Sequence, residues 1–498
     1  MTYAHQPQTD SATLWERGIY WGLVALLFWA PLPFGSIRRW SVALIVIWVA
    51  VLGALWVIGW LAGRCTVGMT FYRGRFALCL LGLWAVLITL QASPLPAAWI
   101  AFLSPGAAAV YAGQGLYIHA DAGGLRHSFA LSIDVAATHR LQLLTLALAG
   151  YFALLLLVIK QTSRLKHFTL MLVTSGILYS AVALYLYFTG ASYMVFHEAV
   201  VHEMVLGPFL NRNHFGALIE ICLACGVGLI VADFAPAPLA TRSQRVRWVL
   251  RMLLSAKARM RLMLIVMVIA LILTRSRMGN AAFFTALIAG GFVAVLCLHA
   301  GWKGILVFLG SMLILDAAVI GSWIGVDQVI KRVQQTALTD DAKQAGNFAD
   351  ESVETRTNQA LSALPSARTF PLFGTGAGSF EAMYPQHKPN GYPYTLNHAH
   401  NDYIQFLVES GVLGAALLSA LMAHAYLAVV RTLIRSQHQV RRGLALGAFI
   451  GMLSVMIHAT VEFAFQTPAV ALSFIALMAI GVLAQDRVAN ESTTPPAP

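Results

Sequence analysis

The chain has 498 residues, of which 58% are apolar and 11% are charged, and its formal net charge is +12. A soluble protein would carry about a quarter charged residues, so the composition excludes an ordinary soluble enzyme and indicates a membrane protein. A basic balance can indicate nucleic-acid binding. Here the basic residues lie between apolar runs, where Lys and Arg orient membrane helices, and we expect no nucleic-acid partner.

Apolar runs of the roughly 20 residues that cross a bilayer as a helix recur along the chain. They predict an all-α polytopic membrane protein with about 12 transmembrane helices and a large outer loop between helices 9 and 10. The predicted helices span residues 17–34, 42–62, 76–93, 139–159, 168–188, 213–234, 261–274, 279–298, 304–325, 411–431, 443–465 and 468–485.

The predicted helices divide the chain into four parts. Residues 1–325 hold helices 1–9 with an outer segment at 94–138, which is expected to contain an interfacial helix. Residues 326–402 form the loop domain, which is too small for an independent enzyme and is expected to pack on the membrane helices as a lid. Residues 403–485 hold helices 10–12, and residues 486–498 form a tail.

Lys and Arg in the short loops predict the orientation, because they favour the cytoplasmic side. They gather in alternate connections, which places the N-terminus and the tail in the cytoplasm. The basic residues on that side are Arg64, Arg73, Arg75, Lys160, Arg164, Lys166, Arg242, Arg245, Arg247, Arg251, Lys257, Arg259, Arg261, Lys303, Arg431, Arg435, Arg441 and Arg442. The stretch 235–261 has the pattern of a basic helix lying on anionic lipid, or of a plain orientation signal.

Cysteines and acids give no sign of a cofactor. The five cysteines lie in or beside apolar runs, and Cys222 and Cys225 fall inside a predicted helix, where a metal or redox site is disfavoured. We find no carboxylate cluster with metal-ligand spacing in the outer loops and no phosphate-binding glycine motif. The sequence therefore predicts no metal, no cofactor and no use of cytosolic ATP.

Two histidines, an amide and a carboxylate end the longest polar segment, directly before an apolar run. They are His398, His400, Asn401 and Asp402. A histidine titrates near neutral pH and can accept or donate a proton there, with Asn401 or Asp402 as a group that orients it. The alternative is a packing or hydrogen-bonding role, which is common for a single histidine at a membrane interface.

Several arginines converge on the same outer side. An arginine near the membrane face is costly without an anionic partner or water. Each one alone is explained by snorkelling or by pairing with Glu198 or Glu203. Together with His400 they predict a cationic pocket for a phosphate or diphosphate, which arginine binds through two parallel donors. The basic residues of this pocket are Arg38, Arg39, Arg212, His214, Arg275, Arg277 and Arg356.

These motifs resemble the O-antigen ligase and O-antigen polymerase superfamily of bacterial membranes. His400-Asn401, nine residues, then Gly411-x-x-Gly414 is similar to the outer-loop signature of the family, and the segment 371–380 with Arg356 upstream is similar to what precedes it. The segment 274–279 resembles the Ser-Arg element of the family. The segment 211–216 resembles the Asn-x-Asn element of the family. The motifs cover about 207–216 and 274–414, and the twelve-helix layout covers nearly the whole chain.

The resemblance implies roles and partners. His400 would be catalytic, Arg212 and Arg277 would contact the donor diphosphate with Arg275 as the competitor, and Asn401, Asp402, His398, His214 and Arg356 would support them. The family implies the bacterial inner membrane, a periplasmic outer loop and an active site on that face. The implied partners are an undecaprenyl-diphosphate-linked oligosaccharide donor, a saccharide acceptor, membrane lipids and a chain-length regulator protein.

Three functions remain open at this point. The first is a metal-independent glycosyltransferase, either a polymerase of lipid-linked repeat units or a ligase to lipid A-core, with the polymerase favoured by overall resemblance of segment 94–138. The second is a lipid-linked oligosaccharide flippase or other transporter, which would place acids such as Glu220 and Asp316 near the midplane. The third is a structural assembly subunit, to which nothing specific points.

Overall fold

The structure is a computed structural model that describes residues 13–113, 129–190, 193–194, 197–198, 204–233, 256–297, 310, 314, 353–386, 388 and 396–485. The prediction of an all-α polytopic membrane protein is confirmed. Within these residues one antiparallel pair of two-residue strands occurs, β1 (Tyr193–Met194) with β2 (His197–Glu198). Three short 3-10 helices occur at Phe34–Ser36, Tyr384–Gln386 and Ala464–Gln466.

The α-helices follow in chain order. They are α1 (Leu14–Trp29), α2 (Arg39–Leu61), α3 (Met69–Ala92), α4 (Ala97–Leu103), α5 (Pro105–Gly113), α6 (Val135–Val158), α7 (Thr162–Thr189), α8 (Arg212–Ala232), α9 (Ala256–Leu273), α10 (Arg277–Cys297), α11 (Val353–Ser362), α12 (Leu364–Thr369), α13 (Phe380–Met383), α14 (Asp402–Arg435), α15 (Gln439–His458) and α16 (Pro468–Leu483).

Eight of the described helices are long and apolar enough to cross a membrane. They are α2, α3, α6, α7, α8, α10, α14 and α15. Eleven of the twelve predicted ranges coincide with a helix, and the helix expected at 411–431 begins nine residues earlier, at Asp402. Of the range 304–325, only residues 310 and 314 are described. The ranges 235–255 and 326–352 also fall outside the described residues. The count of twelve therefore stays a prediction.

Polar contacts group the helix ends into two sets, so that consecutive long helices run in opposite directions. At one end, Lys160 after α6 pairs with Glu16 of α1 at 2.6 Å, and Lys166 of α7 pairs with Asp233 after α8 at 2.6 Å. We call this the basic end. At the opposite end, the Gln91 side chain of α3 donates to the Glu409 carbonyl oxygen of α14 at 2.9 Å. We call this the loop end.

Helices α8 and α16 form the centre of the bundle, since α16 and all but the first residue of α8 are buried throughout. Helix α15 packs closely on α8 because glycines face each other. A Cβ atom on Gly228 would lie 2.7 Å from the Gly443 carbonyl oxygen, and one on Gly447 would lie 2.7 Å from that of Ala224. Small residues allow this close approach of membrane helices. The peripheral helix α2 instead exposes large apolar side chains, as a lipid-facing helix does.

A break in α14 gives the loop before it a docking place. Gly411 has φ 64° and ψ −170° inside the helix, a conformation that side chains with a Cβ rarely adopt. Next to it, the Val412 amide donates to the Pro371 carbonyl oxygen and the Gly376 amide donates to the Glu409 carbonyl oxygen, both at 2.9 Å. The glycine-rich loop 371–378 therefore crosses α14 at Gly411.

Candidate functional site

His400 lies at the loop end, in a backbone turn fixed by its neighbour. Its φ is 49°, in the left-handed region. Asn401 caps α14, because its side chain accepts a hydrogen bond from the Ile404 amide at 3.0 Å. The same side chain donates to the Thr460 carbonyl oxygen at 2.8 Å. Asn401 thus holds the loop that carries His400 against the connection between α15 and α16.

Asp402 binds the same connection between α15 and α16 through its backbone amide and its side chain. Its amide donates to the Ala459 carbonyl oxygen at 3.0 Å. Its buried carboxylate accepts hydrogen bonds from the Phe465 amide at 3.0 Å and from the Gln466 side chain at 3.1 Å. Asn401 and Asp402 therefore use their side chains to join α14 to the segment before α16.

Three histidines surround the ring of Phe463. His398 stacks on it with 4.4 Å between ring centroids, while His400 and His214 meet it edge-on at 4.9 Å and 4.7 Å. His214 also lies 2.9 Å from the Thr467 hydroxyl through its Nδ1 atom. The structure thus brings residue 214 next to residues 398 and 400, which lie more than 180 positions later in the sequence.

The neighbouring residue, Glu462, is the carboxylate on which this end of the bundle converges. It is 1% exposed. Its Oε1 atom accepts hydrogen bonds from the Arg356 guanidinium and, at 2.5 Å, from the Asn213 side chain. The His400 Nδ1 atom lies 3.9 Å from Oε1, and the His214 Nε2 atom lies 3.9 Å from Oε2.

Electrostatics keep Glu462 charged and His398 neutral. Burial on its own would raise the pKa of the Glu462 carboxyl, but the interactions with His400 and the charge of Arg356 outweigh it and hold that pKa well below its usual range. Burial, together with the neighbouring His400, lowers the pKa of His398 to about 4. The Gln405 amide, 3.1 Å away, donates to the Nδ1 atom of His398, which suits a neutral ring.

Two of the predicted arginines each open a helix. Arg212 is the first residue of α8 and Arg277 the first of α10. The two helix starts adjoin, since a Cβ atom on Gly216 would lie 3.8 Å from the Cβ atom of Ser276. Helix N-termini carry a partial positive charge, so arginines there add charge of the same sign. This arrangement favours a bound anion.

The arginines differ in their surroundings. Arg212 is partly buried, and its guanidinium lies 3.2 Å from the Met204 sulfur. Arg275 and Arg277 are exposed. Arg275 has φ 55°, which turns the chain between α9 and α10. Buried Ser276 between them accepts a hydrogen bond from the Gly279 amide at 3.1 Å and so caps α10.

A second ionisable cluster lies deeper, between α8 and α15. The Glu220 carboxylate lies 2.7 Å from the His458 Nδ1 atom and accepts a hydrogen bond from the Ser454 hydroxyl at 2.6 Å. Glu220 and His458 are fully buried. A Cβ atom on Gly279 would lie 3.1 Å from the His458 ring, so this cluster also adjoins the start of α10. The acid expected near the midplane at 316 falls outside the described residues.

An apolar cavity of about 410 Å³ opens beside Asp402. Polar side chains of Asp402 and Gln466 line its loop end, and it continues between α3, α6, α14, α15 and α16 to Met422 and Met478. Most of its lining is aliphatic or aromatic. Its volume and apolar lining suit a hydrocarbon chain.

Glu462 is not among the site residues predicted from the sequence. Its carboxylate nevertheless lies against Arg356, Asn213, His400 and His214. It stands in Thr460-Val461-Glu462-Phe463, between two apolar runs, and has no spacing relation to His400. The available signal was a lone acid at the outer end of a predicted helix. Over the residues that the structure describes, no group of three His, Cys, Asp or Glu side chains forms a metal site; the metal-free mechanism remains a prediction.

One comparison with known proteins bears on this site. The family model described as O-antigen ligase matches residues 262–419. The matched range contains Arg275, Arg277, Arg356 and His400 but neither Arg212 nor Glu462. No curated protein matches the chain.

Proposed function

We propose that this membrane protein, whose residues 262–419 match the family model described as O-antigen ligase, is a glycosyltransferase of the O-antigen ligase and polymerase superfamily that acts on undecaprenyl-diphosphate-linked oligosaccharides in surface polysaccharide assembly. One observation carries the proposal. His400 lies at the same end of the bundle as two adjoining helix N-termini that begin with Arg212 and Arg277. A proton acceptor and an anion site at the same end are what transfer from a diphosphate donor requires.

The proposed reaction is a single displacement. The His400 imidazole accepts the proton of an acceptor hydroxyl as its oxygen attacks the anomeric carbon of the donor. The bond between that carbon and the diphosphate oxygen breaks, and undecaprenyl diphosphate leaves with the electron pair. Arg212 and Arg277, with the helix N-termini behind them, stabilise the charge that grows on the leaving group. One displacement inverts the anomeric configuration.

Two features support a lipid-linked substrate at the periplasmic face. The apolar cavity beside Asp402 offers room for a hydrocarbon chain at the level of the site. At the opposite end of the bundle lie the basic residues 160, 164, 166, 435, 441 and 442. By the positive-inside rule we propose that this end is cytoplasmic and that His400 lies at the periplasmic face of the inner membrane.

Within this proposal the polymerase is favoured over the ligase, because segment 94–138 resembles that of polymerases. The segment contains the short helices α4 and α5, and α4 exposes Trp99 and Phe102, as an interfacial helix does. A polymerase passes the glycan to another lipid-linked repeat unit, whereas a ligase passes it to lipid A-core.

Mass spectrometry of the glycans from a deletion strain tests the proposal. Loss of chain length with single repeat units retained supports the polymerase, and loss of transfer to lipid A-core supports the ligase. Accumulation of lipid-linked units on the cytoplasmic side, with both transfers intact in membranes supplied from outside, would support a flippase and contradict the glycosyltransferase.

Orientation is tested separately by cysteine labelling. Single cysteines at exposed positions of the loop end, such as Leu372, should react with an impermeant reagent in intact cells. A cysteine at 245 should not react. Labelling at 245 but not at Leu372 would reverse the orientation and remove the periplasmic mechanism with it.

A further inference from the structure

We propose that Glu462 is the positioning residue of this site: it turns the His400 imidazole and holds the Arg356 guanidinium on a single buried carboxylate. The inference rests on the proposed function for its catalytic meaning. It names a residue outside the 262–419 match and outside every motif found in the sequence.

The geometry around Glu462 separates its two oxygen atoms by role. Oε1 accepts from Arg356 and Asn213 and faces the His400 Nδ1 atom at 3.9 Å. Oε2 faces His214. The carboxylate therefore links α8, α11, the His400 loop and the connection before α16, four segments that are far apart in sequence.

The orientation of His400 follows from which nitrogen faces the carboxylate. Nδ1 is the nearer atom to Glu462, so a proton on Nδ1 is favoured there and the Nε2 atom is left as the proton acceptor. The distance of 3.9 Å exceeds a hydrogen bond, and such contacts commonly tighten when substrate binds. Once Nε2 takes the proton, the nearby carboxylate stabilises the imidazolium.

Glu462 is poorly suited to be the base itself. It is 1% exposed, and two donors occupy its Oε1 atom. An acceptor hydroxyl would have to displace Arg356 to reach that oxygen. A carboxylate held in its charged form by such partners is a weak proton acceptor, so its role is exerted through His400 and Arg356.

Glu409 provides the contrast, because it is an equally buried glutamate at the same end of the bundle. Its carboxylate accepts from the Gly378 amide at 2.9 Å, the Phe380 amide at 3.2 Å and the Gln405 side chain at 3.0 Å. These donors belong to the backbone of the docked loop and to the side chain that also contacts His398. Glu409 therefore holds the loop, and Glu409→Gln is the matched control for loss of a buried carboxylate.

The tautomer of His400 distinguishes positioning from a purely structural role. The charged or titratable side chains that face His400 are Glu462 directly, His398 and His214 across the Phe463 ring, and Arg356 through Glu462. Glu462 is the anion among them, so it is the group that favours a proton on the Nδ1 atom. In Glu462→Gln this preference should weaken.

The experiment compares Glu462→Gln, Glu462→Asp and Glu409→Gln in purified full-length protein with a lipid-linked saccharide donor. We expect Glu462→Gln to lower kcat at least about tenfold and to weaken the preference of His400 for a proton on Nδ1. Glu462→Asp keeps the charge and should restore the tautomer and part of kcat. Glu409→Gln should lower the amount of folded protein and leave the tautomer of His400 in place.

A second readout needs no substrate. Nitrogen NMR of labelled histidine, with His400 assigned by difference from His400→Ala, reports which ring nitrogen carries the proton. We expect Nδ1–H in the native protein and a shift towards the other tautomer in Glu462→Gln. An unchanged tautomer in folded Glu462→Gln would overturn the proposal. Absence of transfer by the native protein, with the tautomer shift present, would instead overturn the proposed function and leave the positioning role standing.

Discussion

Replacing His400 or its neighbour His398 by alanine separates chemistry from packing, because both changes remove the same side chain from one loop. His400→Ala should lower kcat by about 10²–10⁴-fold, the usual contribution of a general base. The loss of folding free energy should be about 0.5–1.5 kcal/mol, since the His400 ring meets Phe463 edge-on at 4.9 Å between centroids and approaches Glu462 only to 3.9 Å. Donor binding should survive, because Arg212 and Arg277 are the residues proposed to bind the diphosphate.

His398→Ala should act on stability instead. The ring stacks on Phe463 with 4.4 Å between centroids and accepts a hydrogen bond from Gln405 at 3.1 Å. A stacked ring contributes about 0.5–1.5 kcal/mol and a hydrogen bond about 0.5–1.5 kcal/mol. The free energy of unfolding should therefore fall by roughly 1–3 kcal/mol, and activity per folded molecule should change far less than in His400→Ala.

The ring of His398 also predicts that the stability of the protein depends on pH. The pKa of His398 is about 4 in the folded protein, against about 6.5 in the unfolded chain. Between these values the unfolded chain binds a proton that the folded protein does not. The contribution of neutral His398 to the free energy of unfolding is therefore fully present above about pH 7. It is lost as the pH falls towards 4, and the loss is about 3 kcal/mol at most. His398→Ala should remove this slope.

The assay uses purified protein, a lipid-linked donor and a thermal unfolding scan, with and without chelator. Full activity in His400→Ala would refute the histidine mechanism. Activity lost on chelation and restored by a divalent metal would refute its metal independence. Loss of donor binding together with activity would make His400 a substrate ligand. A His398→Ala protein that is as stable as the native one at pH 7 would refute the packing role.

Further predictions concern the arginines and the break in α14. Arg212→Ala and Arg277→Ala should each lower turnover or donor affinity about ten- to hundredfold without loss of membrane insertion, and Lys should restore only part, because it lacks the paired donors. Near-normal turnover in Arg277→Ala would transfer its role to Arg275. Gly411→Ala should destabilise the protein by at least about 2 kcal/mol, since its Cβ atom would lie 2.3 Å from the Leu372 carbonyl oxygen. Gly53→Ala, with open space around it in α2, is the control and should be neutral or stabilising in a thermal scan.

The helices and the superfamily could be predicted because each depends on local sequence. Apolar runs of bilayer length are visible without knowing what packs against them, and eleven predicted ranges coincide with helices. The His400 signature and the Ser276 segment lie within the matched range, and the superfamily prediction is confirmed. The roles of the individual site residues stay predictions.

Glu462 and the break at Gly411 could not be predicted because they depend on distant contacts. Glu462 gains its importance from Asn213 and Arg356, which lie more than 100 residues before it. Gly411 leaves helical geometry because residues 371–376 cross the helix there. The local pattern gives no sign of that crossing, since the polar pair Glu409-Ser410 before the glycine and the apolar run after it predict a helix that begins at 411.

The break at Gly411 also has a mechanical consequence for α14. The part before it, 402–410, is tied at Asp402 to the segment before α16 and at Glu409 to the docked loop. The part after it, 412–435, runs through the bilayer. Membrane helices adjust their tilt to the thickness of the lipid around them. We therefore expect a change of tilt in the second part to bend the chain at the glycine, so that the distance between His400 and Glu462 changes little with the thickness of the membrane.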